Sequence, residues 1–234
     1  MEINSRTIPL IGSDRFEQIS QKKVIIFGIG GVGAAVAEAL VRFGLKEITL
    51  VDYDTVSITN LNRQVFTNQQ NIGMYKCLAL RDYLLKINPK LICHYQIKRV
   101  MYNLDKLNLQ AYDYVVDAVD SITAKVQLAK ICYEQDINFI ASMGTGNRLD
   151  PTLIQVMKLK DTSYDPMAKI LRRELKRIGI TDMKVVCSKE MPKRKSLRNE
   201  LDKRSTPTSV SFVPPVAGYI IASDVIKTLG GYDE

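Results

Sequence analysis

Short apolar runs and stretches with helical apolar spacing alternate along most of the chain. The runs KVIIF, ITLV, YVVD and FIAS are too short for helices and predict buried strands. Between them, apolar residues recur three and four positions apart, which predicts helices over residues 32–43, 74–87 and 121–134. This alternation indicates an α/β fold with a doubly wound, Rossmann-like, mostly parallel sheet and helices on both faces.

Weaker patterns predict the remaining elements. They indicate strands over residues 91–97, 152–159 and 185–187, and helices over residues 14–19, 167–177 and 216–229. Pro215 suits the first turn of the last helix. Residues 189–208 contain few large apolar side chains, and we expect a mobile loop there.

The length of 234 residues suits one α/β domain with insertions. We expect an N-terminal arm at residues 1–20 and a nucleotide-binding core at 21–160. Residues 161–234 should form a basic C-terminal extension that packs on the same domain.

The positive charge of the chain is concentrated in one region. The net charge is +8, from 33 basic and 25 acidic residues. Residues 160–204 hold 14 Lys or Arg against 7 Asp or Glu. A solvated helix face with a charged loop would give this composition, and so would a surface that binds a polyanion. The clustering favours the polyanion, and the lack of an amphipathic anchor favours nucleic acid over a membrane.

Nothing in the apolar pattern indicates export or a membrane. No apolar run is long enough to span a bilayer, and the first residues lack the basic-then-apolar layout of a signal peptide. We therefore expect a cytoplasmic protein without a membrane span.

The cysteines and the histidine do not form a recognisable site. Cys77, Cys93, Cys132 and Cys187 occur singly, without a C-x-x-C pair, so neither a zinc site nor a disulfide framework is indicated. We expect them to be small buried apolar residues. His94, the only histidine, has no acid or nucleophile at motif spacing and is interpreted as structural.

A glycine-rich turn follows the first predicted strand. Gly28, Gly30 and Gly31 stand where that strand passes into a helix, and glycine allows a phosphate to approach the backbone and the free N–H groups of a helix start. Asp52 ends the second strand roughly 20 residues later, the position from which a carboxylate binds the hydroxyls of a ribose. Gly33 completes the pattern. The sequence therefore predicts a nucleotide-binding βαβ unit.

Further polar residues indicate a nucleoside triphosphate rather than a dinucleotide. Asp54, Asn60 and Gln64 follow Asp52 and extend the expected nucleotide site. Arg63 and Lys76 are placed to neutralise phosphate charge, and Asp120 to hold Mg²⁺.

Two of these assignments have simpler alternatives. Lys76 could be a solvated surface lysine, although its place in the first turn of a helix suits a nearby anion. Asp120 precedes Ser121, a plausible N-cap, and could serve the helix start instead of a metal.

These motifs together resemble the adenylating superfamily that includes ubiquitin-activating enzymes and the thiamine and molybdopterin adenylyltransferases. Later stretches resemble its tRNA threonylcarbamoyladenosine dehydratase branch over nearly the whole chain. They are Ser5-Arg6-Thr7, Ser142-Met143-Gly144-Thr145-Gly146-Asn147, Leu149-Asp150-Pro151, Asp165-Pro166 and Arg172-Arg173-Glu174-Leu175.

The resemblance implies ATP and Mg²⁺ as cofactors and a carboxylate of modified tRNA as the group that is adenylated. It also implies a homodimer in which an arm arginine reaches the triphosphate, with Arg6 as the candidate and Arg15 as its competitor. The tRNA would lie over the basic block at residues 169–204. Within that block we expect one helix face and one loop to contact phosphates, through Arg172, Arg173, Lys176, Arg177, Lys193, Arg194, Lys195 and Arg198.

Two other functions stay open at this point. An activator of a ubiquitin-like or sulfur-carrier protein usually carries paired C-x-x-C zinc ligands and often an accepting cysteine, for which Cys187 is the candidate. Whether a sulfur-transfer partner assists this chain also stays open. A nucleotide-sensing Rossmann module has no evident use for both Arg63 and Lys76.

Overall fold

The computed structural model describes residues 3–100, 107–193, 196–198 and 205–232. Its centre is a seven-stranded sheet in the order β3-β2-β1-β4-β5-β7-β6. Every neighbouring pair is parallel except β6 and β7. The strands are β1 Lys23–Phe27, β2 Glu47–Val51, β3 Ile92–Gln96, β4 Tyr114–Asp117, β5 Phe139–Ser142, β6 Ile154–Lys158 and β7 Lys184–Ser188.

Helices cover both faces of this sheet, as predicted. They are α1 Ile8–Ile11, α2 Ser13–Ser20, α3 Gly31–Phe43, α4 Lys76–Ile87, α5 Ile122–Glu134, α6 Pro166–Arg177 and α7 Val213–Leu229. Alternate residues of each central strand point to opposite faces. Val24 and Ile26 pack in one core with α3, α4 and α7. Ile25 and Phe27 pack in a second core with α5, and α6 packs with α5 and β7 in a third.

The order of the strands fixes the position of the functional site. The chain runs outward from β1 to β3, then returns to the other side of β1 to form β4. Ligands of such sheets bind at the carboxyl ends of the strands where the order reverses. That point lies between β1 and β4, next to the glycine-rich turn.

The predicted elements agree closely with the observed ones. The edge strand over 152–159 is β6, and Pro214 and Pro215 lie in the first turn of α7. Within the described residues, no helix combines the length and the apolar character needed to cross a membrane.

The prediction of a mobile loop over residues 189–208 was wrong for two stretches. Strands β8 Ser196–Arg198 and β9 Ser205–Pro207 pair antiparallel. Main-chain hydrogen bonds hold such a ladder without large apolar side chains, so the missing apolar pattern gave no sign of it. Residues 194–195 and 199–204 lie outside the described part of the chain.

The arm contains two helices where one was predicted. Gly12, with a φ of 85°, separates α1 from α2. Phe16 and Ile19 of α2 are buried, so the end of the arm is anchored to the core. The boundaries proposed at residues 20 and 160 stay predictions.

Candidate nucleotide-binding site

The glycine-rich turn packs too tightly for a side chain at Gly28 and at Gly33. Gly28 has a φ of 88°, and a Cβ on it would lie 2.6 Å from the carbonyl oxygen of Ala118. A Cβ on Gly33 would lie 2.0 Å from the Gly28 oxygen. At Gly30, the N-cap of α3, a Cβ would meet nothing within 4 Å, and no side chain caps the helix. The turn therefore holds β1, α3 and the end of β4 together and leaves the N–H groups of the first turn available to an anion.

A cavity of about 320 Å³ opens over this turn. It brings together nine of the residues predicted for the site: Gly28, Gly30, Asp52, Asp54, Asn60, Arg63, Gln64, Lys76 and Asp120. Gly31 lies beside it, where a Cβ would be 3.1 Å from the Arg63 oxygen.

Asp52 is fixed by two backbone donors at the end of β2. Its Oδ2 accepts from the Ile29 N–H at 2.5 Å, and its Oδ1 accepts from the Asp54 N–H at 2.8 Å. Burial raises the pKa of this carboxyl, and the two backbone hydrogen bonds oppose that rise. The carboxylate is thus held at the edge of the cavity with lone pairs left for hydroxyl donors.

Lys76 is buried and paired with Asp54. The two side chains are 2.7 Å apart, and the Lys76 N–H also donates to the Asp54 oxygen at 2.9 Å. The lysine is 7% exposed, so the interpretation as a solvated surface lysine was wrong.

Asn60 and Gln64 lie on the wall beside Asp54. The Oδ1 of Asn60 accepts from the Ser57 N–H at 3.0 Å. Gln64 is 3% exposed, and its Oε1 has no hydrogen-bond partner among the described residues. A buried polar atom without a partner indicates that a ligand or water completes the site.

Arg63 is half-buried, with one nitrogen held by the protein. Its Nη1 donates to the Thr59 oxygen at 2.8 Å and to Asn62 Oδ1 at 3.0 Å. No carboxylate pairs with it within the described residues. Burial lowers the pKa of this guanidinium, which means that an anion in the cavity would be favourable.

A buried ion pair supports the loop that carries Asp120. The Lys125 ammonium donates to Asp117 Oδ1 at 3.1 Å and to the Ser142 oxygen at 2.7 Å. Both charged side chains are fully buried. Ser121 caps α5 by accepting from the Ala124 N–H at 3.4 Å.

Asp120 itself is exposed and makes no hydrogen bond or ion pair with the described residues. Ser121 caps α5, so Asp120 does not act as the side-chain cap. Its carboxylate faces the cavity free of partners.

Three cavity residues with polar or charged groups were not predicted from the sequence: Tyr53, Lys98 and Arg99. The guanidinium of Arg99 lies 5.4 Å from the centre of the Tyr53 ring, and burial lowers the pKa of Lys98. Both cations follow β3. The parallel pairing of β3 with β2 would have indicated these two residues, because it places the residues that follow β3 beside Asp52.

Comparison with known proteins identifies the family. The model of the ThiF family matches residues 4–234. The chain belongs to the ThiF family. It is 36% identical over 239 residues to the tRNA threonylcarbamoyladenosine dehydratase of Bacillus subtilis (strain 168), a match that covers 96% of this chain and 93% of that protein.

A solved structure agrees with this match. The E. coli tRNA N6-threonylcarbamoyladenosine dehydratase in complex with ATP is similar with a TM-score of 0.86 at 29% identity, covering 97% of this chain and 93% of that chain. The molybdopterin-synthase adenylyltransferase of E. coli (strain K12) is 33% identical over 132 residues, 55% of this chain and 51% of that protein. The resemblance and the fold class drawn from the motifs are confirmed.

Neither Arg6 nor Arg15 of the N-terminal arm reaches the nucleotide cavity of its own chain. Arg6 is exposed and does not line the cavity. Arg15 lies over the Tyr232 ring, 4.5 Å from its centre.

The cysteines are unsuited to accept an acyl group. Cys77, Cys132 and Cys187 are buried and Cys93 is half-buried. Burial raises the pKa of Cys187 to about 11 and that of Cys77 to about 12, so neither forms a thiolate at neutral pH. Across the described ranges, no three His, Cys, Asp or Glu side chains form a metal cluster. His94 lies at the surface, 3.6 Å from Glu47.

The basic helix α6 differs from the prediction at one residue. Arg172 is half-buried, and its Nη1 donates to the Thr162 oxygen at 2.6 Å and the Leu159 oxygen at 3.2 Å. It fastens α6 to the preceding turn and is not part of a solvent face. Six basic side chains on α6 and up to residue 193 are exposed: Lys169, Arg173, Lys176, Arg177, Lys189 and Lys193. Arg194, Lys195 and the side chain of Arg198 lie outside the described part.

Proposed function

We propose that this chain dehydrates threonylcarbamoyladenosine in tRNA in a reaction driven by ATP. The observation that carries the proposal is the meeting of Asp52, Arg63, Lys76 and Asp120 around one cavity at the reversal point of the sheet. The dehydratases similar to the chain, one of them bound to ATP, supply the reaction class. The chain would thus act as a ligase-type adenylating enzyme.

The proposed reaction has two chemical steps, adenylation of a carboxylate and closure of a ring. A carboxylate oxygen of the modification attacks the α-phosphorus of ATP, the bond to the bridging oxygen breaks, and pyrophosphate leaves. A nitrogen of the same modification then attacks the activated carbonyl carbon, loses its proton and expels AMP as a ring closes. The sum removes the elements of water from the modification, and ring closure is favoured because both reacting groups belong to one molecule.

Some residues of the cavity would bind the nucleotide, and others would neutralise the charge of its phosphates. The Asp52 carboxylate accepts from ribose hydroxyls, and the first turn of α3 donates to phosphate oxygens. Arg63 and Lys76 neutralise the charge that builds on the α-phosphate and the leaving pyrophosphate. These groups suit a triphosphate better than a nicotinamide dinucleotide.

The free carboxylate of Asp120 fits a magnesium ion that arrives with ATP. Mg²⁺ prefers oxygen ligands and is often held by one or two carboxylates together with phosphate oxygens. Asp120 faces the cavity without a partner among the described residues. When bound, the ion would neutralise phosphate charge.

The substrate brings its own nucleophile, so no side chain has to form a covalent intermediate. This agrees with the raised pKa values of the buried thiols. An activator of a ubiquitin-like or sulfur-carrier protein is the alternative. The molybdopterin-synthase relative supports it only at the level of the family, and a sulfur-transfer partner stays a prediction.

The exposed basic side chains on and after α6 form the surface that we assign to tRNA. Lys176, Lys189 and Lys193 are exposed and would contact phosphates, which gives affinity without base readout. As a tRNA-modifying enzyme, the chain would act in the cytoplasm.

We further propose a homodimer in which Arg6 enters the site of the second copy, since Arg6 is exposed and absent from its own cavity. Mixing Arg6→Ala with Lys76→Met, each expected to be impaired alone, would test it. Recovered activity in the mixture is expected, because some dimers keep one complete site. No recovery would exclude an action of Arg6 across the interface.

The central experiment incubates the chain with ATP, Mg²⁺ and tRNA that carries the linear modification, followed by nucleoside mass spectrometry. We expect loss of one water from the modified nucleoside and equal amounts of AMP and pyrophosphate. Omitting ATP should prevent the change. An unchanged nucleoside, with adenylation of a carrier protein instead, would favour the alternative.

A further inference from the structure

The side chain of Asn62 joins two segments that are far apart in the chain. Its Oδ1 accepts from Arg63 Nη1 at 3.0 Å, and its Nδ2 donates to the Ser209 oxygen at 3.1 Å. Both ends of the carboxamide are used, so its partners fix its orientation. Arg63 Nη1 is held from the other side by the Thr59 oxygen at 2.8 Å.

Ser209 ends a short stem, residues 207–209, that Asn147 holds on its other side. Asn147 Oδ1 accepts from the Thr208 N–H at 2.9 Å and from its Oγ1 at 2.8 Å. The Asn147 N–H donates to the Thr208 oxygen at 2.8 Å. A Cβ on Gly146 would lie 2.7 Å from Pro207 Cβ. The stem is therefore closely packed against the loop that follows β5.

Asn147 has a φ of 59°, in the left-handed region. A residue other than glycine adopts this conformation at a cost, which the surrounding contacts must offset. The same residue accepts from the Lys193 N–H at 2.8 Å through its main-chain oxygen. One continuous set of hydrogen bonds thus runs from exposed Lys193 through Asn147, the stem and Asn62 to Arg63.

We propose that Asn62 is a positioning residue for adenylation, which keeps the Arg63 guanidinium directed at the phosphates while the stem is seated against Asn147. The proposal rests on the proposed function, because it concerns the same adenylation step. Arg63 has no carboxylate partner among the described residues, so Asn62 and the Thr59 oxygen are the restraints on its head group. A displacement of about 1 Å in such a group reduces a rate roughly 100-fold.

Two substitutions separate the two bonds of Asn62. Asn62→Ala removes both, whereas Asn62→Asp keeps an acceptor for Arg63 and loses the donor to Ser209. Asn138→Ala is the matched control, since Asn138 is also exposed and donates through Nδ2 to the Asp113 oxygen at 3.1 Å, beside the amino ends of β4 and β5.

The first measurement determines kcat and the KM for ATP separately in the dehydration of modified tRNA. We expect both Asn62 variants to lower kcat about tenfold or more and to change KM less than about threefold, since misplacement acts on the transition state. Asn138→Ala should behave as the wild type. Wild-type kcat in Asn62→Asp, or a change confined to KM, would overturn the proposal.

The second measurement does not need tRNA. Hydrogen exchange of peptides covering residues 207–212 is compared with and without α,β-methylene-ATP. We expect the analogue to slow exchange there in the wild type and Asn138→Ala but not in Asn62→Ala, because coupling between two sites is reciprocal. No such change in the wild type would overturn the proposal. If the wild type leaves modified tRNA unchanged, the proposed reaction is contradicted. If the analogue still slows exchange in that wild type, the link through Asn62 is supported.

Discussion

The Nζ of Lys76 lies 2.7 Å from Oδ2 of Asp54, and the two side chains differ in their exposure to water. The lysine side chain is 9% exposed and the aspartate side chain 46%. The cation is therefore buried beside a carboxylate that solvent still reaches. An incoming phosphate would add a second anion beside Lys76, in the cavity that both side chains line.

Replacing Lys76 with Met should slow adenylation more than it weakens ATP binding. Charge on the phosphates grows as pyrophosphate leaves, so the ammonium stabilises the transition state more than the ground state. Loss of one such group reduces kcat on the order of 100-fold, about 3 kcal/mol. Single-turnover rates and calorimetric ATP titrations measure the two effects.

Lys86→Met in the last turn of the same helix is the control, because Lys86 is exposed and does not line the cavity. Near-normal turnover of Lys76→Met would remove Lys76 from the chemical step.

As the pH falls, ATP affinity should be lost at a higher pH than it would be if Asp52 had the ordinary aspartate pKa. Burial raises the pKa of Asp52. The ionised carboxylate accepts from ribose hydroxyls, so affinity is full above this raised pKa and is lost as the pH falls through it. Titrations from about pH 7 down to the ordinary aspartate value of about 3.9 should show that the loss begins above that value. Asp52→Asn should bind ATP more weakly with no such slope, and a slope that persists would assign it to another group.

Asp120→Asn should act through magnesium. The amide keeps an oxygen but loses the charge that attracts the cation, so a higher Mg²⁺ concentration should partly restore the rate. Rates measured across a magnesium titration decide this. An unchanged magnesium dependence would leave Asp120 without a role in metal binding.

The buried Lys125–Asp117 ion pair should contribute strongly to stability. Lys125→Met leaves Asp117 charged and fully buried, which should lower the free energy of unfolding by about 3–5 kcal/mol. The double variant Asp117→Asn with Lys125→Met should lose less, because no unpaired charge remains. Urea unfolding measures both, with Lys130→Met, an exposed lysine of the same helix, expected within about 0.5 kcal/mol of the wild type. A loss in Lys125→Met no larger than in this control would contradict the account.

The sequence predicted the fold because nearly every element carries its own local signal. Buried strands such as Tyr114–Asp117 are short apolar runs, and α5 begins at the predicted cap, Ser121. The hairpin β8–β9 was missed because its strands are held by main-chain bonds, which leave no apolar pattern.

The site was predictable where residues follow strand ends in a recognisable motif. Asp52 and Lys76 were found in this way, and both line the cavity. Lys98 and Arg99 were missed because only the pairing of β3 with β2 brings them there. The inward direction of Arg172 depends on carbonyl groups of a preceding turn, which no local pattern indicates.

The exposed lysines near α6 should govern tRNA affinity without affecting ATP. Changing Lys176, Lys189 and Lys193 together to Glu replaces three exposed cations by anions. Each lysine that binds a phosphate releases counterions, so the variant should bind tRNA more weakly and with a shallower dependence on salt. The salt slope should fall by roughly one for each phosphate that the variant no longer neutralises. Filter binding at several salt concentrations measures both quantities.

The matched control for this surface changes Lys46, Lys86 and Lys90 to Glu. These lysines are also exposed. Lys46 follows α3, Lys86 lies in the last turn of α4 and Lys90 follows α4, and none of them lines the nucleotide cavity. The total charge changes equally in the two variants, so a similar loss of tRNA affinity in both would mean that only net charge matters. A loss restricted to the first variant, with calorimetric ATP binding unchanged, locates the RNA on the surface beside α6. An unaltered affinity and slope in that variant would remove this surface from tRNA binding.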